Sequence, residues 1–200
     1  MTAAQQAIAF GLLLDTLKRV ERRTYLTDGS RHENTAEHSW HLAMYVLVFF
    51  PFFVRRDLDV FRMIRMAILH DVPELRVGDT FIYDERARAE AAAKEHDAAR
   101  ELFGMMSAGG GECLALWEEF EAKTTPEARV LEALDRLQPV LQNVTSGCRA
   151  WREHSVTIEM VLAMNGVIEA ELPDIWPLLV EMLEQAVAEG ALTRSDGPTA

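Results

Sequence analysis

Two hundred residues, 49% hydrophobic and 26% charged, suit one globular domain with enough chain to bury a substantial core. A formal charge of −12 argues against a nucleic-acid polymer as partner, because gripping a polyanion takes clustered Lys and Arg. The longest apolar run, Leu42 to Val54, is too short to cross a bilayer and contains Pro51, and no basic leader precedes an apolar N-terminal core. The expectation is therefore a cytoplasmic protein with no membrane attachment. Cys113 and Cys148 lack a CxxC spacing and read as ordinary thiols, neither a disulfide framework nor a zinc knuckle.

Ile8, Leu12, Leu13, Leu17 and Val20 recur at helical spacing behind a possible Thr2 cap, predicting a helix from Thr2 to about Arg22. Its basic end, Lys18-Arg19 and Arg22-Arg23, complements a helix C-terminus. Thr24 to Glu33, with Asp28-Gly29-Ser30, reads as a loop. Asn34 or Thr35 can cap a second helix, with Glu37 and His38 in its first turns and an apolar body from Leu42 to Phe53. His38 and His41, three apart, could share a metal or simply border a core; no HExxH pattern marks a metalloprotease. The four phenylalanines around Pro51 suit a core and helix end, or a subunit interface.

Asp57 to Asp59 open a third helix, with Val60, Phe61, Ile64, Ala67 and Ile68 expected inward, ending in His70-Asp71-Val72-Pro73-Glu74. Helical neighbours point about 100° apart, so His70 and Asp71 can share an ion only near the helix end, which Pro73 enforces. Gly78 permits a tight turn beside Asp79. Asp84 is expected to cap a helix from Glu85 to Met106 whose charges, His96 among them, form a solvated face. Ser107 to Gly111 is a glycine-rich connector without a P-loop lysine, and Glu112 to Lys123 a short amphipathic helix.

Thr125-Pro126-Glu127 is the strongest helix start in the chain, leading through Val130, Leu131, Leu134, Leu137 and Leu141. Asp135 lies among those apolar neighbours and needs a partner, for which Arg136, a capping group or, better, a metal would serve. A helix from Val156 to Leu172 and a last one ending before Gly190 complete an all-α, single-domain helical bundle over residues 1–190, with 191–200 a frayed polar tail. No segment carries the alternation expected of a sheet. His38, His70, Asp71 and Asp135 together form a mixed nitrogen and oxygen set suited to one divalent ion such as Mn, Co, Fe, Zn or Mg.

At these positions Glu37-His38-Ser39, His70-Asp71-Val72-Pro73-Glu74, Gly78-Asp79 and Leu134-Asp135-Arg136-Leu137 resemble the ordered H…HD…D signature of the HD-domain metal-dependent phosphohydrolases. Their order and spacing most resemble the branch containing the bacterial 5'-deoxynucleotidases and their eukaryotic relatives, over roughly Leu12 to Gln142. The resemblance implies an all-helical HD-type fold, a metal held by His38, His70, Asp71 and Asp135, and phosphate release from (deoxy)nucleoside 5'-monophosphates by a metal-bound water. It implies proton transfer by Glu74, arrangement of water or substrate by Asp79, substrate contact by Arg23, and a homodimer. Bacterial members carry a tryptophan near the sugar where Thr24 stands, which leaves sugar and base preference open.

The chemistry stands without the family. Phosphate esters repel anionic nucleophiles, so a catalyst supplies countercharge and a hydroxide-like oxygen together, as a divalent cation does. Glu74, three residues past Asp71, can move a proton, or can pair with Arg76 or Arg31 at a helix end. Arg23 and Arg31 offer guanidinium forks for phosphate. Cyclic nucleotides, triphosphates and guanosine tetraphosphate are alternative substrates, and a non-catalytic nucleotide-binding protein is the rival from another class.

Overall fold

The structure, a computed structural model, describes residues 1–195. The first helix, α1 (Ala3–Leu14), opens on a capping box in which the Thr2 hydroxyl accepts from Gln5 N and the Gln5 side chain accepts from Thr2 N. It stops well short of Arg22. Ile8 and Leu12 are exposed and only Phe10 is buried, so little packing sustains it; a 3-10 turn (Asp15–Arg19) follows and the chain straightens at Val20.

The expectation of no sheet is corrected here. Strands β1 (Glu21–Tyr25) and β2 (His32–Asn34) pair antiparallel, Glu21 opposite Asn34 and Tyr25 opposite His32. Gly29, at φ 69°, turns the hairpin, and Tyr25 stacks on His32 at 4.1 Å between ring centroids. Polar Glu-Arg-Arg-Thr-Tyr has no alternating pattern, so its pairing comes from the turn and partner strand rather than from hydrophobic periodicity.

Asn34 caps α2 (Thr35–Phe49) in a second capping box, with Glu37 returning to the Asn34 N–H. Asp59 accepts from Arg62 N to start α3 (Val60–Leu69), which packs along α2. Its buried face is Met63, Met66 and Ala67. Phe61 and Ile68, expected inward, are 70% and 45% exposed; seven residues apart, they share the opposite stripe. A short α4 (Glu74–Val77) ends at Gly78, whose φ of 77° and ψ of 168° suit glycine alone.

Asp84 caps α5 (Glu85–Gly104), which precedes α6 (Gly110–Ala122). Then comes α7 (Pro126–Thr145), capped by Thr125 and packed against α2, α3, α6 and the later helices. Pro139 lies inside α7 and lacks the N–H that would bond the Asp135 carbonyl, so the ladder is open at that residue. The predicted helix from Val156 to Leu172 divides at Asn165, whose side chain donates to the Val161 carbonyl at 2.7 Å, into α9 (Ile158–Met164) and α10 (Gly166–Glu171). The short α8 (Arg149–Glu153) precedes them and α11 (Trp176–Ala188) follows.

The principal core joins Leu42, Val46, Met63, Met66, Leu131, Leu134 and Leu137 with residues of the last helices; a smaller one joins Phe10, Val72, Phe103 and Trp117. The tail expected to fray is held through Ser195: Leu192 is buried, Ile158 N donates to the Thr193 carbonyl, and Ser195 N donates to Glu159. The remainder of that tail, 196–200, lies outside the described residues. Among the described residues no helix is long and apolar enough to cross a membrane.

Candidate metal centre

His38 sits in the second turn of α2, His70 and Asp71 at the end of α3, and Asp135 at the open position of α7. Remote in sequence, they meet. His38 Nε2 lies 3.3 Å from His70 Nε2, 2.9 Å from Asp135 Oδ1 and 3.5 Å from Asp71 Oδ2. His70 Nε2 is 3.1 Å from Asp71 Oδ1 and 3.6 Å from Asp135 Oδ1. One ligand atom each from His38, His70 and Asp71 lie within 4.8 Å of one another, and Asp135 joins the group through the imidazoles. Adjacent ligands around an ion at about 2.1 Å are separated by about 3 Å, so the donor spacings fit a small divalent cation.

The histidine orientations argue the same way. A carbonyl only accepts, so the 2.9 Å contact from His70 Nδ1 to Ala67 O puts a hydrogen on Nδ1 and leaves Nε2 facing His38. Two ring nitrogens buried 3.3 Å apart, flanked by carboxylates, need a cation or a proton between them. Burial pulls His70 down, but Asp71 and hydrogen bonds to Asp135 and Asp71 push it up to about 10. Asp71 is held down at about 2 despite its burial, chiefly by His70, and Asp135 lies well below the usual carboxylate range through both imidazoles. Trp117 Nε1 donates to the His70 carbonyl at 2.8 Å, and Phe120 meets the His70 ring edge-on at 5.2 Å, which locks its rotamer.

Arg22, rather than its neighbour Arg23, supplies a fixed positive charge beside the ligands. Its Nη1 is 3.0 Å from Asp71 Oδ2 and 3.6 Å from Asp79 Oδ1. Burial opposes its charge, but Asp71 and Asp79 outweigh it and the guanidinium stays protonated. Two further carboxyls border the ligands. Burial and then the Asp71 charge push Glu74 well above the ordinary range, while burial raises Asp79 against the pull of Arg22. Glu74 Oε2 lies 2.7 Å from the Thr35 hydroxyl, and neither arginine considered as its partner reaches it: Arg76 pairs with Glu101 and Arg31 with Glu37.

An open cleft of about 550 Å³ is lined by Arg22, Asp71, Glu74, Asp79 and Asp135. A small recess of about 80 Å³ leads off it between Arg23, Thr24, Phe81, Tyr83 and Trp151. Arg23 therefore borders the recess, whereas Arg31 is not brought to the site, being held outside in a bidentate pair with Glu37 at 2.8 and 2.6 Å. His41 turns away to Gln138 and Tyr45, and His96 meets the edge of Trp117, so neither joins the ligand group. Asp135 is served by His38 and not by Arg136, which makes a loose 3.7 Å ion pair with Glu132 and whose buried Nε has no hydrogen-bond partner among the described residues. Arg136 lines both the cleft and the recess. Arg22 and Arg136 were missed because sequence marks basic residues but not which of two neighbours faces a cavity.

Comparison with known proteins agrees with this geometry. The HD domain family matches residues 14–176. A protein named 5'-deoxynucleotidase HDDC2 from Danio rerio is 30% identical over 137 residues, 68% of this chain and 66% of that protein. Its namesake from Homo sapiens is 28% identical over 141 residues, 70% of this chain and 67% of that protein. The chain thus spans about two thirds of the length of these curated relatives. The crystal structure of a predicted metal-dependent phosphohydrolase from Magnetospirillum magnetotacticum MS-1 superimposes with a TM-score of 0.88 at 37% identity, covering 95% of each chain.

Proposed function

The chain belongs to the HD domain family, and on that premise we propose that it is a metal-dependent phosphohydrolase releasing phosphate from (deoxy)nucleoside 5'-monophosphates. The observation that carries the proposal is the opposed pair of imidazole Nε2 atoms, 3.3 Å apart and flanked by Asp71 and Asp135, beneath an open cleft. His38, His70, Asp71 and Asp135 would hold one divalent ion. When bound, such an ion supplies Lewis acidity toward phosphoryl oxygens and lowers the pKa of water.

The chain's own groups divide the remaining work. Arg22 stands beside Asp71 and Asp79 as countercharge to the phosphate, and Arg136, with its unpartnered Nε, offers a second guanidinium from the facing wall. Glu74, raised by burial and the Asp71 charge, borders the cleft and can pass a proton to the leaving 5'-oxygen. Asp79 can orient the attacking water or the sugar. The recess walled by Phe81, Tyr83 and Trp151, with Arg23 and Thr24 at its edge, offers aromatic surface against which the flat face of a base can pack. Trp40, Met44, Leu47 and Val48 form an exposed apolar stripe on α2, supporting a homodimer, and a cytoplasmic location fits a nucleotide substrate.

Free-phosphate detection across a nucleotide panel, run beside elemental analysis, tests the reading. Release from dAMP, dGMP or dTMP with none from 3'-monophosphates is the expected result. Turnover confined to cyclic nucleotides, triphosphates or guanosine tetraphosphate, followed by chromatography of the nucleotide products because those hydrolyses need not release free phosphate, would replace the substrate, and tight nucleotide binding without hydrolysis by metal-loaded protein would overturn the enzyme reading.

A further inference from the structure

Behind His38, on the side away from the cleft, lies a buried carboxylate without an assigned role. Glu33, on β2, is 2% exposed. Its Oε1 accepts from Gln138 Nε2 at 3.0 Å and Gln142 Nε2 at 2.8 Å, one turn apart on α7, the helix that carries Asp135. Its Oε2 faces His38 Nδ1 at 3.8 Å and Arg22 Nε at 3.6 Å. Glu33 Oε2, His38 Nδ1 and Arg22 Nε are all buried, and among the described residues none has a hydrogen-bond partner. An acceptor and two potential donors left unpaired so close together are satisfied at once by a contraction of less than 1 Å.

From this convergence we infer that Glu33 is a positioning residue of the metal centre, accepting from His38 Nδ1–H and Arg22 Nε–H through Oε2. A carboxylate has only acceptors to offer, so the ring hydrogen of His38 is drawn to Nδ1 and the Nε2 lone pair is left for the ion. The same oxygen steadies Arg22 from behind while its Nη1 reaches Asp71 and Asp79. Gln138 and Gln142 fix the carboxylate to α7, so Glu33 links the strand bearing Arg22, the helix bearing His38 and the helix bearing Asp135. The inference rests on the reading of His38 as a ligand.

Glu33→Gln keeps the shape but can turn an amide N–H toward Nδ1, which favours the opposite tautomer. Mn²⁺ affinity, read as free Mn²⁺ by electron paramagnetic resonance, should weaken roughly 10- to 100-fold in this variant while its melt stays cooperative. In Zn²⁺-loaded wild type labelled with ¹⁵N-histidine, His38 should carry its hydrogen on Nδ1. Wild type that takes up no Mn²⁺ would refute the metal-site reading itself; wild type that binds Mn²⁺ while Glu33→Gln binds equally well would overturn only the inference. Should Glu33→Gln fail to fold, a wild-type spectrum with His38 protonated at Nε2 would overturn it too.

Discussion

Removing Arg22 should destabilise the protein far more than removing its neighbour. Its guanidinium stands 3.0 Å from Asp71, 3.6 Å from Asp79 and 3.6 Å from Glu33, with a side chain 13% exposed. At an effective dielectric of about 20 each contact is worth roughly 5 kcal/mol of gross attraction, most of it cancelled by desolvation of both partners. The net loss on deleting one member of a buried pair is about 3–5 kcal/mol, because the orphaned carboxylates remain. Arg22→Ala in metal-stripped protein should lose that much in urea unfolding, whereas exposed Arg23→Ala should change by about 0.5 kcal/mol or less. Saturating Mn²⁺ should recover part of the loss, since the ion restores positive charge beside Asp71. Phosphate release should fall about 10²- to 10³-fold in Arg22→Ala, and Arg22→Lys, which keeps the charge but not the fork, should lie between. A loss below about 1 kcal/mol, or equal losses at both arginines, would refute this electrostatic frame.

Glu74→Gln should keep its metal by elemental analysis and lose turnover, while His70→Ala should lose both; an unchanged rate in Glu74→Gln would remove its assigned role. Gly78→Ala meets no atom within 4 Å, so its cost is backbone strain at φ 77°, about 1–3 kcal/mol in denaturant titration, with a lower kcat through displacement of Asp79. Glu95 is pushed up from 4.5 to about 7, by burial first and then by Glu121, Asp71 and Asp79. Its ionisation therefore opposes folding: the penalty is absent below about pH 4.5, grows between 4.5 and 7 and is complete above. Glu95→Gln should raise the Tm of metal-stripped protein at pH 8 and leave it unchanged at pH 4, and equal effects at both pH values would discredit the shift.

The amino-acid order alone determined the local events. Thr2, Asn34, Asp59, Asp84 and Thr125 cap their helices because a short side chain reaches an N–H within three residues, so each cap is complete in the sequence. That His38, His70 and Asp71 converge was legible in part, because imidazoles and carboxylates beside apolar helical stretches need partners, but the same pattern covers His41, which the fold turns to Gln138 instead. Only the tertiary structure decided between Arg22 and Arg23, left Phe61 and Ile68 outside, withdrew Arg31 to Glu37 and drew Glu33 behind His38. Those outcomes depend on which strand or helix lies opposite. That choice is settled when distant segments exclude water together, and no short window of the chain contains it.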